Sequence, residues 1–556
     1  MLQGFSKRFL NVAMSARESG SSAKRSSMVD WFQVTKSVSK RVPFPLIILL
    51  VLLATPSVYL FLKFPPLWRD SDGFYQVYAG NGEFTILHWP PLYCFLARIP
   101  IALGAIIRAL AAGQAFPGFQ ILPPTFTDLG IFLLVFSQHV LLIATLFFAS
   151  ILLARSPLVR ILIGGLFSVN PALYAFAHCV GSESLSNVLT LQVAVLGYKY
   201  VRDHTPSRIL AFWFVAALVA AILTRHVNAV LIGLVPGTYL LAFAFTLSGL
   251  LKRMDGASTA KRGYLKLFVK SLVLGGISVL VAHLVVLDMC RIVKIPYRSR
   301  LGYTFEWRLF YLPNLSRESQ EEVLERVDRN LDDPAVSFAL SKGKNILFTR
   351  NSWDASVLHS ALYEWLEDHG VSPWKRVHLE ADRRLNRIAL QFLLHGGWDF
   401  WRVVMYEFWT SLNYSPAEIC RDAFRTTDIL IRMSTEPAFA PVLHLSTLQP
   451  RRESYESEWA RDPYLTFGQA IPIWAMILAV LVGACCLTLF RPEHVPEISL
   501  YAVSLVVTGI VVSISNCALT FLLPRFTLTL YILTLFGLAM LLARLSEGFT
   551  KEHFSA

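Results

Sequence analysis

The run PFPLIILLVLLATPSVYLFL, from Pro43 to Leu62, holds twenty residues without a charge. An α-helix needs roughly 20 apolar residues to cross a hydrocarbon core about 30 Å thick, so this run is long enough to span a bilayer. A basic, Ser-rich stretch precedes it, with Lys7, Arg8, Arg17, Lys24, Arg25, Lys36, Lys40 and Arg41, and no small-residue cleavage signal follows. It therefore reads as a retained span behind a cytoplasmic tail, not as a signal peptide. The whole chain agrees: 54% of its 556 residues are hydrophobic and only 16% charged, against about 25% charged in soluble domains. The mean hydropathy of +0.50 excludes a soluble protein.

Further apolar runs fall at 128–154, 160–178, 185–201, 209–223, 227–247, 267–290, 467–490, 498–522 and 526–543. With the first, these predict roughly ten membrane-spanning helices in an all-α polytopic fold. The formal charge of +13 does not imply nucleic acid, because the basic residues gather between spans. Arg155 and Arg160, then Lys199, Arg202 and Arg208, then Lys252, Arg253, Lys261, Arg262 and Lys266 occupy alternate connections. By the positive-inside rule this puts both ends of the chain in the cytoplasm, and a bacterial inner membrane is the expected location.

The chain divides into a basic tail (1–42), an N-terminal transmembrane region (43–290), a segment of soluble composition (291–466) and a C-terminal transmembrane region with a short tail (467–556). Within the second, residues 63–127 form a first outside loop. Its apolar part from 91 to 112, interrupted by Arg98 and Arg108, is expected to lie along the membrane surface. The 291–466 segment predicts a mostly helical non-cytoplasmic domain with helices over 316–330, capped by Ser316, and over 376–394 and 398–412, joined at Gly396-Gly397. Trp398, Phe400, Trp401, Tyr406, Phe408 and Trp409 form a cluster that could sit at headgroup level. The seven cysteines are scattered through apolar runs without disulfide or zinc spacing. The chain has neither a glycine-rich phosphate loop nor a Gly-x-Ser-x-Gly elbow, which argues against a nucleotide-driven pump and a serine hydrolase.

The stretch that can carry chemistry follows the first span: Arg69-Asp70-Ser71-Asp72-Gly73-Phe74-Tyr75, then His88-Trp89-Pro90-Pro91-Leu92-Tyr93. Asp70 and Asp72 could take a proton from an attacking hydroxyl or bind a divalent cation; equally, they could solvate a loop. Arg225 and Arg525 stand at the outer ends of spans, where a guanidinium either holds a phosphate bidentately or snorkels to the interface. Glu183 opens a span, where a carboxylate is costly unless used or paired, though it also complements a helix dipole. His88 could hydrogen-bond a sugar or phosphate, or simply pack against Trp89. His226 and Asn228 adjoin Arg225.

The order of these motifs resembles the membrane glycosyltransferases of the GT-C class, in the bacterial branch related to protein O-mannosyltransferases and the lipid A aminoarabinose transferase. The likeness rests on the outside acidic motif, the His-Trp-Pro-Pro-Leu-Tyr segment, Asn170-Pro171 with Ser182-Glu183, Arg225, and Pro524-Arg525-Phe526. It covers the membrane part of the chain. It implies a polyprenyl-phosphate sugar donor, a lipid, glycan or protein acceptor, transfer on the non-cytoplasmic face, and an acidic residue of the first outside loop as base. Many relatives carry an adjacent Asp-Glu pair where this chain has Asp70-Ser71-Asp72, which leaves open which aspartate is the base; Asp72 is favoured, with Asp70 as its partner. Arg225, Arg525, Glu183 and His88 are the expected donor and phosphate ligands. No resident cofactor is implied, apart from a divalent cation that Asp70 and Asp72 could hold. A single displacement with one base predicts inversion. The competing reading is a transporter or flippase of lipid-linked sugars, which would place ionisable groups mid-span and favour inverted repeats.

Overall fold

A computed structural model of the chain describes residues 44–69, 73, 76–77, 90–114, 126–203, 206–247, 257–293, 301–306, 308, 316–347, 357–372, 374–433, 445–490, 496–520 and 523–554. Two compact units divide the chain, 1–49 and 50–556. Only residues 44–49 of the first are described, as the start of a helix; all other elements belong to the second. The protein is an all-α polytopic membrane protein, with 20 helices among the described residues.

The helices are α1 (Phe44–Lys63), α2 (Pro91–Ala111), α3 (Asp128–Leu153), α4 (Pro157–Ser168), α5 (Pro171–Ala177), α6 (Ser182–Arg202), α7 (Arg208–Thr224), α8 (Leu234–Leu247), α9 (Ala257–Val293) and α10 (Leu301–Glu306). They continue as α11 (Arg317–Leu331), α12 (Pro334–Leu347), α13 (Val357–Asp368), α14 (Trp374–His395), α15 (Gly397–Leu412), α16 (Pro416–Met433), α17 (Tyr455–Ala460), α18 (Ile473–Phe490), α19 (Pro496–Leu519) and α20 (Leu528–Phe554). Two strands of two residues, β1 (Leu67–Trp68) and β2 (Cys179–Val180), pair in parallel with Leu67 opposite Cys179 and Trp68 opposite Val180.

Among the described residues seven helices are long and apolar enough to cross a membrane: Phe44–Lys63, Pro91–Ala111, Asp128–Leu153, His226–Leu247, Arg262–Ile292, Glu497–Leu519 and Pro524–Ser546. The expected run at 160–178 is not one straight helix; α4 and α5 meet at 66°. Pro171 lacks the N–H that would continue the helix, and Asn170 before it is extended, as sterics before proline demand. The runs expected at 209–223 and 467–490 form shorter apolar helices, Arg208–Thr224 and Ile473–Thr488. Pro91–Ala111, expected to lie on the surface, has the length and hydropathy of a span and packs along α3.

The expected run at 185–201 forms α6 but is too polar to qualify as a span, because Ser184, Ser186, Asn187 and Thr190 lie on it. Those groups are buried, since α6 sits in the middle of the bundle against α3, α7, α19 and α20. Polar side chains are tolerated in such a helix only where other helices supply partners. Asn228 illustrates this, donating its amide to the Ser186 hydroxyl and the Ala221 carbonyl, both at 2.9 Å.

The expected Ser316 cap is present: its hydroxyl accepts from the Ser319 N–H at 3.3 Å, as a helix N-terminus requires. Gly397 has φ +74° and breaks α14 from α15, as expected of the Gly396-Gly397 pair. In α15 the aromatic cluster divides: Phe400 and Phe408 enter the core, while Trp398, Tyr406 and Trp409 remain 77%, 71% and 65% exposed. The core containing Phe305, Leu324, Leu362, Leu385 and Phe400 runs on into Cys517 and Ala518 at the end of α19. A shared apolar core of this kind fixes α10–α15 on the end of the bundle.

Candidate functional site

The β1–β2 pairing builds the site. Arg69 follows β1, and its N–H donates to the Val180 carbonyl at 3.1 Å, which sets Arg69 beside the start of α6. Glu183 lies in the first turn of α6. Its Oε1 meets Arg69 Nε at 2.7 Å and Arg225 Nη1 at 3.3 Å. Gly181 allows this approach, since a Cβ there would stand 2.9 Å from the Arg69 Cβ and 3.1 Å from Glu183 Oε2.

Arg225 is the extended residue that ends α7, so its side chain leaves the helix at the level of Glu183. Arg525 enters from the short 3₁₀ turn Pro524–Thr527 ahead of α20. The Phe526 ring lies between these two arginines, its centroid 5.9 Å from the Arg225 guanidinium carbon and 5.5 Å from that of Arg525. Each distance is within cation–π range. Arg525 Nη1 is 3.7 Å from Asp422 Oδ2 on α16, and Asp422 is buried. Burial raises the proton affinity of Asp422 against the pull of Arg525, and the Glu183 charge adds to the rise, so this carboxyl lies above the usual carboxylate range.

Hydrogen bonds hold the frame. The Trp68 N–H donates to Thr427 Oγ1 at 2.8 Å, and Thr426 Oγ1 donates to the Trp68 carbonyl at 2.9 Å. These two contacts lock α16 to β1 and thus Asp422 to Arg69. The Gln138 amide donates to the carbonyls of Ala177 and Cys179 at 3.0 and 3.1 Å, and Ser184 donates to the Gln138 oxygen at 2.7 Å. The Gly181 N–H donates to Tyr93 Oη and the Ser182 N–H to Gln76 Oε1, both at 2.8 Å. Behind them, His178 Nε2 faces the Phe64 carbonyl at 3.0 Å and must donate to it; its Nδ1 is then left to accept from His139 Nε2 at 3.1 Å. The carbonyl therefore fixes both tautomers, and the chain ends at Ser57, 2.8 Å from His139 Nδ1. Buried polar groups satisfied in this way specify one arrangement of the α1–β1 and α5–β2 connections.

Of the residues expected from the sequence, Glu183, Arg225 and Arg525 meet at one locus. Asp70, Asp72 and His88 lie outside the described residues. The flanks of the acidic motif are described: the Gly73 N–H donates to the Arg69 carbonyl at 2.7 Å. His226 is exposed, while Asn228 is buried in the α6–α7 contact. Two members of the cluster had no expected role. Arg69 stood in the quoted motif, beside the acids; Asp422 lay in an amphipathic helix with no local signal.

Among the described residues three guanidiniums, Arg69, Arg225 and Arg525, converge with two carboxylates, Glu183 and Asp422, so the cluster carries excess positive charge. Such a locus suits a phosphate, whose oxygens match guanidinium geometry. No group of three or more His, Cys, Asp or Glu among the described residues is arranged to hold a metal ion. No family model matches the chain, and no curated protein shows a significant match to it.

Proposed function

We propose that this protein is a membrane glycosyltransferase, moving a sugar from a polyprenyl-phosphate donor to a hydroxyl on a lipid, glycan or protein acceptor. The observation that carries this reading is the convergence of Arg69, Glu183, Arg225, Asp422 and Arg525, with Asp70-Ser71-Asp72 following Arg69 directly in the sequence. The resemblance to GT-C enzymes supports the choice of donor. The same resemblance supports transfer on the non-cytoplasmic face, and a bacterial inner membrane suits it.

In this reaction the acceptor oxygen forms a bond to the anomeric carbon while the bond from that carbon to the phosphate oxygen breaks. A carboxylate of the acidic turn, Asp72 with Asp70 as its partner, takes the acceptor proton. The leaving phosphate gains negative charge, and Arg225 and Arg525 stabilise it more as that charge develops, which is what lowers the barrier. Glu183 orients Arg69 and Arg225 rather than reacting. One displacement inverts the anomeric configuration.

The test uses purified protein in lipid, a polyprenyl-phosphate sugar and a lipid extract, with release of polyprenyl phosphate as the readout. Asp70→Asn and Asp72→Asn should each reduce turnover, the base by about 10²–10⁴-fold, while melting like the wild type. Wild-type turnover in both variants would overturn the assignment of the base. Movement of intact donor across vesicles without cleavage of the glycosidic bond would overturn the transferase in favour of a flippase.

A further inference from the structure

α15 is apolar on two faces. One face, with Phe400, Val404 and Phe408, closes the core of α10–α15. The other carries Trp398, Trp401, Met405, Tyr406 and Trp409, all exposed, from 37% at Trp401 to 77% at Trp398. At 3.6 residues per turn these five fall, with Arg402, inside an arc of roughly 140°. A helix with apolar residues on both sides needs a cover other than water for the second one, and a contiguous aromatic patch marks an interaction surface.

Contacts with two apolar helices set the depth at which this face lies. Ser411 Oγ, in the last turn of α15, is 3.3 Å from Ser513 Oγ on α19. Ser513 lies within the span Glu497–Leu519, about 9 Å from its end along the helix axis. Ile510 and Ile514 of α19 pack against the same core as Phe400 and Phe408, and on this stretch α19 turns Val507 and Val511 outward. Just beyond α15, the Tyr414 carbonyl accepts from the N–H of Ile473, the first residue of α18, at 3.0 Å. Trp474 and Leu478 of α18 are exposed in turn. The open face of α15 thus stands beside helix surfaces that meet acyl chains. Its charges suit that depth: Glu407 is paired with Arg308 at 2.6 Å, and Arg402 is the one charged residue in the open arc, where its long side chain reaches headgroup level. Tryptophan and tyrosine favour that same level.

We infer that α15 is an interfacial anchor, with its Trp398, Trp401, Met405, Tyr406 and Trp409 face immersed in one leaflet at the boundary between headgroups and acyl chains. Its partner is lipid, not a second protein. The 291–466 segment, soluble by composition, is therefore bound to the bilayer along this helix. The anchor does not depend on whether the Glu183 cluster transfers a sugar.

The test uses the full chain in phosphatidylcholine vesicles, where copies are free to meet, as wild type, Trp398→Phe and Trp409→Phe. Both variants keep an aromatic ring at an exposed position and should melt like the wild type. Tyr406→Trp adds a reporter instead of removing one, and serves if either variant fails to fold. The emission that differs between each variant and wild type is followed with acyl chains brominated near their headgroup end and, separately, with iodide on both sides of the membrane. That difference emission should be quenched more strongly by the brominated chains than by iodide. Quenching by iodide as strong or stronger would place the face in water and overturn the anchor. Quenching by neither would show that protein covers the face, and would overturn lipid as its partner.

Discussion

Replacing Glu183 by Gln keeps the shape of the side chain and removes the charge that two arginines share. The 2.7 Å contact to Arg69 Nε lies between side chains only 2% and 10% exposed, so water cannot replace the lost partner, and breaking such a buried pair costs about 3–5 kcal/mol. Arg225, at 3.3 Å with 20% of its side chain exposed, is partly solvated and adds about 1 kcal/mol at most. The main effect therefore belongs to Arg69, and it should be coupled. In the double variant Glu183→Gln with Arg69→Met, the stranded guanidinium is gone and the combined loss should fall short of the sum by about 1–3 kcal/mol. Reversible unfolding in mixed micelles, read by intrinsic fluorescence on all four proteins, measures that cycle. A Glu183→Gln protein within about 0.5 kcal/mol of wild type, or two losses that simply add, would refute the paired-charge description of the site.

Two further expectations concern the frame. A Cβ at Gly104 would stand 2.3 Å from the backbone of Gly130, so Gly104→Ala should force α2 from α3 and cost about 1–3 kcal/mol; a thermal melt unchanged from wild type would show that the helices do not approach so closely. Asp462 accepts from Tyr59 Oη, Lys63 Nζ and the N–H groups of Tyr464 and Leu465. Burial pushes its pKa up, but the bonds from Lys63, Tyr59 and Leu465 outweigh it and hold the carboxyl below its usual value. A lowered acid contributes stability above its unfolded pKa, and that contribution is lost as pH falls through the folded value, here below about pH 4. Melting followed against pH should show this acid limb in wild type and a flatter one in Asp462→Asn; identical profiles would exclude Asp462 as its source.

Hydropathy revealed most of the spans, because lipid-facing helices such as α9 must be apolar along their length. It misjudged the elements whose surroundings are protein. The run behind α6 was legible as apolar, yet this helix sits where polar side chains find partners, and a window average cannot register that. At 160–178 the break was written in Asn170-Pro171, which a hydropathy window also averages away. The same physics explains the site. Glu183, Arg225 and Arg525 were legible because a charge at the end of an apolar run is costly enough to demand a reason. Asp422 was not, since acidic residues on an amphipathic helix usually face water, and only the docking of α16 on Trp68 turns this one inward. Arg98 interrupted an apolar stretch in plain view, but its burial is a property of the packed chain.

The two-residue strand pair also has a consequence for biogenesis. Parallel strands cannot close through a hairpin, and here the connection from Trp68 to Cys179 passes through α2, α3, α4 and α5. As the ribosome delivers the chain, Arg69 emerges long before Glu183, Arg225 follows, and Asp422 and Arg525 come last. Arg69 must wait, wet or borrowed by another anion, until Glu183 is inserted, whereas Glu183 and Asp422 wait in turn for Arg225 and Arg525. The charged centre is thus completed only when the final helix enters the bilayer, so a nascent chain stalled before that point holds an unfinished centre.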